Sequence, residues 1–547
     1  MPVRMEVEGL GEGEELWKKY CSFFDKPFSE QVEYSEGQAK EWFKKWNQTK
    51  MAKQLRYKKV KRLEDIPPTD YSDYLILREF GAKMQKLSET VPRKEGELLH
   101  NYYDRIGKMA SPMLDGWIMD KYSFCVKTSG VSGESKWFAH GDTFWKNAST
   151  NSIAVAVLLC SDKRGDTKLR KGDKILHMFA PPPYGTSYVV KSWEPIFKCL
   201  PPTHIVENIT EMRKKLNMVL KIIEKEGEEI AFLASLPSVT CLIADYLTAP
   251  EKLFKDRYQS MNFGLVKFVL FLKYLQAKLG GSKHEKIKEI LHVKGMVTGG
   301  DDARLYVGKI KDQFGEEPLN IYGTSEGIAV MVGTPERKID LVPILRSSYF
   351  EFLTEEGNVK KVDELKKGNV YEVMITPFGS TLIRYKMGDL FRVIDFMDDG
   401  MPIFCFEGRK HAVINMYGYY RISQSIVLNA LKKAGLKATD NWTVTRITDP
   451  TDRLLFLMEK EWEYSEEQAA RLLFNSLQEI HEDFRNYVKD FKIQNPFEAL
   501  RVEYLRKGAF MRYVMRRAKE GVPFGQMKPQ KIISDETSEA VAVLRRV

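Results

Sequence analysis

The sequence predicts an α/β fold, and three observations carry that prediction. From about residue 121, short apolar runs alternate with stretches of helical periodicity. The apolar runs stop at Gly, Pro, Ser or Thr, where strands commonly end. Near Gly408 the pattern changes again, to a shorter mixed α/β segment with a charged end. Such alternation argues for a large parallel-rich sheet covered by helices, followed by a smaller domain. The expected division is 1–408 and 409–547.

The elements follow in chain order. Residues 1 to about 15 read as frayed, and 16–120 as helical, rich in aromatics and charges and broken by Pro67-Pro68. Strands are expected at Ser123–Lys127, Ile175–Ala180, Val293–Thr298, Leu319–Tyr322 and Val370–Thr376. Helices are expected between them, including Val206–Glu226 and Lys252–Leu279, and a long one at Ser465–Val488 in the C-terminal domain.

Composition narrows the class. Hydrophobic residues make up 43% and charged residues 29% of the chain, an ordinary globular balance. The formal net charge of +10 is mild over 547 residues and suits an anionic substrate. The densest basic run, Lys53–Arg62, reads as a solvated face, so no nucleic-acid partner is expected. The six cysteines, Cys21, Cys125, Cys160, Cys199, Cys241 and Cys405, are scattered and form no Cys-x-x-Cys pair. That argues against a zinc site or a disulfide framework and suits a reducing cytoplasm. The first 30 residues have no apolar core of the signal-peptide kind. Ile230–Leu247 carries Pro237 and Asp245, and Phe263–Leu275 carries Lys267 and Lys273, so neither is expected to enter a membrane.

Five short motifs carry candidate chemistry. Thr128-Ser129-Gly130-Val131-Ser132-Gly133-Glu134-Ser135-Lys136 follows an expected strand. Its glycines allow a tight turn with inward N–H groups, and its hydroxyls and lysine add donors for a polyphosphate. The Walker spacing is absent. Tyr322-Gly323-Thr324-Ser325-Glu326-Gly327 offers a ring for a base, hydroxyls for a phosphate and a carboxylate for Mg2+. Arg384-Tyr385-Lys386-Met387-Gly388-Asp389 places an acceptor suited to ribose hydroxyls in a turn. Gly408-Arg409-Lys410 stands at the expected boundary, and Gly525-Gln526-Met527-Lys528-Pro529 near the end. Taken singly, each also suits a polar surface turn.

Their order and spacing together resemble the acyl-adenylate-forming superfamily. That superfamily includes acyl-CoA synthetases, luciferases, peptide-synthetase adenylation domains and the plant auxin-conjugating acyl amido synthetases. Its Thr-Ser-Gly-Ser/Thr-Thr-Gly-x-Pro-Lys loop is matched with Val131 for a hydroxyl residue and Ser135 for proline. Its Tyr-Gly-x-Thr-Glu is matched with Ser325 for threonine, and Tyr-x-x-Gly-Asp is met in full by Tyr385, Gly388 and Asp389. Gly408-Arg409 meets the hinge element, followed here by His411-Ala412 where an acidic pair is usual. Gly508-Ala509-Phe510, Gly521 and Gly525–Pro529 are similar to the C-terminus of the auxin-conjugating type and its microbial relatives. Leu236-Pro237-Ser238 looks more like phenylacetate-CoA-ligase members.

The resemblance implies a large adenylating domain, with parallel-rich sheets sandwiched by helices, and a small mobile α+β lid. It implies ATP and Mg2+, a small-molecule carboxylic acid, release of pyrophosphate, and transfer of the acyl group to an amine or to CoA. It assigns nucleotide binding to Thr128, Ser129, Gly130, Ser132, Gly133, Lys136, Gly299, Gly300, Tyr322, Gly323, Thr324, Ser325, Asp389 and Arg409. Glu326 takes Mg2+, and Lys528 carries the adenylation step. Tyr184, Ser238 and Asp301 are candidate walls of the acid pocket. A CoA ligase is the nearest alternative, and a nucleotide-binding pseudoenzyme is the alternative of another class.

Overall fold

The computed structural model describes residues 11–55, 60–128, 136–209, 212–248, 271–272, 274–275, 278, 285–299, 303–410, 414–416, 420–436, 441–447, 453–460, 463–491, 493–520, 529–533 and 539–546. The chain divides into two compact units. One comprises 1–248, 284–387 and 392–405, and the other 249–283, 388–391 and 406–547. The expected helix Lys252–Leu279 lies, but for five positions, outside the described residues.

In the first unit, β1 (Tyr122–Lys127) and β2 (Trp137–Gly141) pair antiparallel as a separate ribbon. The strand expected at 123–127 is therefore present but outside the parallel sheet, because it pairs antiparallel with β2. The large sheet holds β3 (Lys174–His177), β4 (Lys198–Leu200), β5 (Ile230–Ala234), β6 (Gly295–Gly299), β7 (Leu319–Thr324), β8 (Ile328–Val332) and β9 (Val342–Pro343). Its order is β4-β3-β5-β6-β7-β8-β9. The pairs from β4 to β7 are parallel, and β8 and β9 close the sheet antiparallel. β5 is buried along its whole length, as a central parallel strand covered on both faces must be.

Helices supply the covering layers. The helix Asp142–Leu159 is buried at every position from Ile153 to Leu159 and shares a core with β3, β5, β7 and β8. Such an all-round apolar half-helix belongs inside a layered core. Near the N-terminus, the helix Phe28–Trp46 buries Ala39, Trp42, Phe43 and Trp46, one stripe at helical spacing. The Trp42 and Trp46 indoles donate to the carbonyls of Ser380 and Thr381 at 3.1 and 3.0 Å. This pins the helical N-terminal region to the chain that leads into Tyr385.

A second sheet has the order β11-β10-β12-β13-β14, from β10 (Ser348–Leu353), β11 (Val359–Lys361), β12 (Val370–Pro377), β13 (Tyr385–Phe396) and β14 (Pro402–Arg409). β10 pairs antiparallel with β11 and β12. The expected strand at 370–376 is thus part of an antiparallel sheet. β12 is buried at every position but its first, so it reads like a parallel strand.

The second unit has an α+β pattern. β15 (Ile414–Met416) and β16 (Tyr420–Ile422) form a short antiparallel pair. β17 (Trp442–Ile447), β18 (Arg453–Glu459), β19 (Leu500–Leu505) and β20 (Ile532–Ile533) form a mixed sheet ordered β19-β18-β17-β20. Helices Gln424–Lys433 and Glu466–Ile480 contribute Val427, Leu431, Leu473 and Leu477 to a core with Trp442 and Phe456. The long helix expected at 465–488 is two helices, Glu466–Ile480 and Glu482–Asp490. His481 breaks it with extended dihedrals, and its Nδ1 accepts from the Phe484 N–H at 3.3 Å as the second helix's cap. The helix expected at 206–226 is likewise split, into Thr203–Val206 and Met212–Glu226.

Candidate active site

In the order β4-β3-β5-β6-β7, the chain direction of assembly reverses between β3 and β5. Open parallel sheets bind ligands beyond the carboxyl ends of their strands, at such a reversal. The carboxyl ends here are His177, Ala234, Gly299 and Thr324. Tyr184 follows β3 as the cap of helix Gly185–Trp193, and Ser238 opens the helix after β5. Gly299 ends β6, and Tyr322–Thr324 end β7 with Ser325 and Glu326 in the turn beyond. Four segments far apart in sequence therefore arrive along one sheet edge. Gly300 and Asp301 lie outside the described residues.

The β7 turn is tightly built. A Cβ on Gly323 would come within 2.9 Å of the Ile328 carbonyl oxygen, so the close return of the chain requires glycine. The Gly327 N–H donates to Thr324 Oγ1 at 3.1 Å, which commits that oxygen to the turn. Ile328 has φ +61, a left-handed conformation that a β-branched residue rarely adopts. Glu326 is partly buried. Its carboxylate raises the hydroxyl pKa of both Tyr71 and Tyr385, after burial itself, which pushes Tyr71 up to about 12.

The phosphate-loop candidate emerges from β1. The Thr128 N–H donates to the Lys136 carbonyl, and the Lys136 N–H to Thr128 Oγ1, both at 2.8 Å. These two bonds close the neck of the loop. Ser129, Gly130, Ser132 and Gly133, within it, lie outside the described residues. The Lys136 ammonium sits 5.4 Å from the centre of the Tyr71 ring, a cation–π distance. Tyr71 is fixed in turn, accepting from the Trp137 N–H at 3.1 Å. Lys136 thus lies over a tyrosine whose hydroxyl also feels the Glu326 carboxylate electrostatically. The Lys127 N–H donates to the Pro183 carbonyl at 3.0 Å, which ties the neck to the loop carrying Tyr184.

One residue that the sequence reading did not single out joins these pieces. His140 on β2 is buried, and its Nε2 lies 3.1 Å from the Ser325 carbonyl oxygen. A carbonyl only accepts, so Nε2 carries the proton and Nδ1 is a bare acceptor. Burial lowers the imidazole pKa to about 3, which keeps the ring neutral. The ring stacks on Phe144 at 3.8 Å. The signal in the sequence was a histidine inside an otherwise apolar strand, four residues after Lys136.

In the second unit, Asp389 and Arg409 come together. The buried Asp389 carboxylate lies 3.2 Å from Arg409 Nε, while the Arg409 side chain stays 56% exposed. The Lys410 N–H donates to the Gly388 carbonyl at 2.7 Å and joins the two motifs through backbone. Lys528 lies outside the described residues. The chain just after it is anchored, with the Val444 N–H donating to the Lys531 carbonyl at 2.8 Å and β20 pairing parallel with β17.

Among the described residues no group of three or more His, Cys, Asp or Glu could hold a metal ion. A single carboxylate such as Glu326 fits Mg2+ only in a site shared with substrate phosphates, the usual arrangement for that ion. No described helix is long and apolar enough to cross a membrane.

No curated protein matches the chain by sequence. Residues 341–409, from β9 to the end of β14, match the GH3 family central domain. Among solved structures, the AtGH3.15 acyl acid amido synthetase in complex with 2,4-DB superposes with a TM-score of 0.66 at 16% identity, covering 99% of this chain and 97% of that one. A second structure of GH3.15 acyl acid amido synthetase gives 0.62 at 16% identity, over 97% and 94% of the two chains. Over nearly its whole length the chain therefore has the fold of the acyl acid amido synthetase GH3.15, and its residues 341–409 are similar to the GH3 family central domain.

Proposed function

We propose that this protein is an ATP-dependent, AMP-forming ligase that joins a carboxylic acid to an amine, such as an amino acid, through an acyl-adenylate. The observation that carries the reading is the hydrogen bond from His140, four residues after Lys136, to the Ser325 carbonyl, one residue before Glu326, which ties the phosphate-loop candidate to the turn at the carboxyl end of β7. A polyphosphate needs a cation on one side and a metal-holding carboxylate on the other, and this edge supplies both.

In the first half-reaction a carboxylate oxygen attacks the α-phosphorus of ATP, and the bond to pyrophosphate breaks. Two anions must meet, so positioning and charge neutralisation dominate. Thr128, Lys136 and the loop between them bind the β- and γ-phosphates. Tyr322 packs against adenine, Ser325 meets the α-phosphate, and Asp389 with Arg409 binds the ribose. Glu326 would hold Mg2+, which would supply neutralisation of phosphate charge. Lys528 stabilises the charge that develops on the α-phosphate oxygens. In the second half-reaction the amine attacks the acyl carbon, AMP leaves, and the new amide loses a proton. Residues 1–408 act as the adenylating domain and 409–547 as the lid.

The test is a pyrophosphate-release screen of carboxylic acids, run in parallel with an amino-acid mixture and with CoA. Acid-dependent release with amino-acid-dependent AMP formation is expected. CoA-dependent AMP formation in its place would move the chain to the acyl-CoA ligases. ATP binding without release across the acid panel would leave a nucleotide-binding protein only.

A further inference from the structure

Lys215 is 4% exposed, and among the described residues its ammonium meets no carboxylate. Among the described residues its one hydrogen-bond acceptor is the Phe179 carbonyl, two residues beyond the end of β3. It stands in the first turn of the helix Met212–Glu226. That helix ends beside the start of β3, where Lys174 Nζ lies 2.9 Å from Glu226. It therefore runs back along the strand, with its first turn at the strand's carboxyl end. The same edge carries Tyr184, half-buried after β3.

His177, the last residue of β3, stands two residues before Phe179, whose carbonyl accepts from the Lys215 ammonium. It is 1% exposed, and its Nε2 lies 3.2 Å from the Pro201 carbonyl. Nε2 is therefore the protonated nitrogen, and Nδ1 is a buried acceptor without a partner among the described residues. Burial, helped by Lys215, lowers its pKa to about 3, so the ring stays neutral. Burial also lowers the Lys215 ammonium to about 8. A buried cation facing only a carbonyl, next to a buried bare acceptor, leaves hydrogen bonding unmet on both sides.

We propose that Lys215 and His177 form the far end of the acid site and hold a hydroxyl group of the acid remote from its carboxyl. A hydroxyl satisfies both partners, accepting from the Lys215 ammonium and donating to His177 Nδ1. A second carboxylate would satisfy Lys215 but face the His177 lone pair. The inference rests on the adenylating reading above, which puts the reacting carboxyl by Ser325. β3 and β7 are three strand spacings apart, about 14 Å. Side chains reach inward from both, so the acid is on the order of 10 Å long.

The experiment uses matched acids in two series. One is para-hydroxyphenylpropanoic, phenylpropanoic and para-carboxyphenylpropanoic acid; the other is omega-hydroxyoctanoic, octanoic and octanedioic acid. Pyrophosphate release and ATP-free thermal shift are read for the wild type, Lys215→Met and Lys215→Arg. In at least one series the wild type is expected to favour the hydroxy acid about tenfold or more in kcat/KM, as a site built around a hydroxyl does. Lys215→Met should erase that preference through the acid KM and leave the ATP KM unchanged. Lys215→Arg, which keeps the charge, should retain part of it and stays informative if Lys215→Met fails to fold. Equal use of the hydroxy and unsubstituted acids in both series, or a preference for the dicarboxylates, would overturn the assignment. If neither these acids nor the wider screen releases pyrophosphate, the adenylating reading fails. The site then stands only if a hydroxy acid raises the melting temperature of the wild type and not of Lys215→Met.

Discussion

His140 Nε2 donates to the Ser325 carbonyl at 3.1 Å and so links the strand after the phosphate-loop candidate to the turn that presents Glu326. The two motifs meet through a buried neutral imidazole stacked on Phe144. Anything that shifts this ring shifts Ser325 and Glu326 relative to Lys136.

His140→Phe keeps a stacked ring and removes the donor. A buried carbonyl left without its donor costs about 1–3 kcal/mol. We expect pyrophosphate release to fall about tenfold or more, chiefly in kcat. His140→Gln offers an N–H at similar reach and should recover much of the loss. If both variants lose stability but keep wild-type kcat, His140 is a packing residue and not a positioning one.

Arg384 and Glu351 form a buried two-point ion pair, with Nε–Oε2 at 2.9 Å and Nη2–Oε1 at 2.8 Å. Arg384 has φ +44 and also donates to the Glu64 carbonyl at 2.7 Å. The side chain therefore holds the N-terminal region against the entry to β13. Arg384→Met leaves the Glu351 carboxylate buried and uncompensated, and should cost about 3–5 kcal/mol. Arg384→Met with Glu351→Leu should be more stable than Arg384→Met alone. Urea midpoints of the two variants decide it, and equal midpoints would mean the charge is not what is lost.

Much of the parallel sheet was legible because its strands end at turn residues, and the first two motifs were legible because each stands at the end of a strand, whereas Asp389, expected in a turn, lies inside β13. What was not legible depends on contacts between distant segments. β1 reads as a parallel strand, and only its pairing with β2 puts it elsewhere. Val370–Thr376 has the unbroken apolar run of a buried parallel strand yet pairs antiparallel with β10. Gly508-Ala509-Phe510 is similar to the C-terminal segment of the auxin-conjugating type. Its N–H groups at Gly508 and Phe510 are held by the buried Glu459 carboxylate at 2.9 and 2.8 Å, with Gly508 at φ +81. Glu459 caps a helix from 50 residues away in sequence, and no local pattern shows that. Arg384 stands in the ribose motif, whereas its side chain serves the Glu351 pair. His140 and Lys215 escaped because burial, not spacing, marks them.

Acid should destabilise the first unit through its neutral histidines. His140 and His177 have folded pKa values of about 3, against about 6.5 in an unfolded chain. Below 6.5 the unfolded state takes up protons that the folded state refuses, so stability falls as pH drops from 6.5 toward 3. Each histidine contributes up to about 1.4 kcal/mol per pH unit in that window. Urea midpoints at pH 7.5, 6.5 and 5.5 measure the slope. His140→Gln should make it shallower between 6.5 and 5.5, and an unchanged slope would show that His140 titrates normally.

Lys528→Ala tests the proposed adenylation step. If Lys528 stabilises charge developing on the α-phosphate, its removal costs transition-state binding and leaves the ground state nearly intact. Losing one aimed donor of this kind costs about 3–4 kcal/mol, roughly 100- to 1000-fold. Acid-dependent exchange of labelled pyrophosphate into ATP should drop by that factor, while the ATP dissociation constant changes by less than about threefold. Lys136→Met supplies the contrast, because a phosphate-binding lysine should raise the ATP dissociation constant as well. Equal losses of ATP binding in both variants would place Lys528 on the nucleotide and not on the reacting centre. Unchanged exchange in Lys528→Ala would remove it from the chemistry altogether.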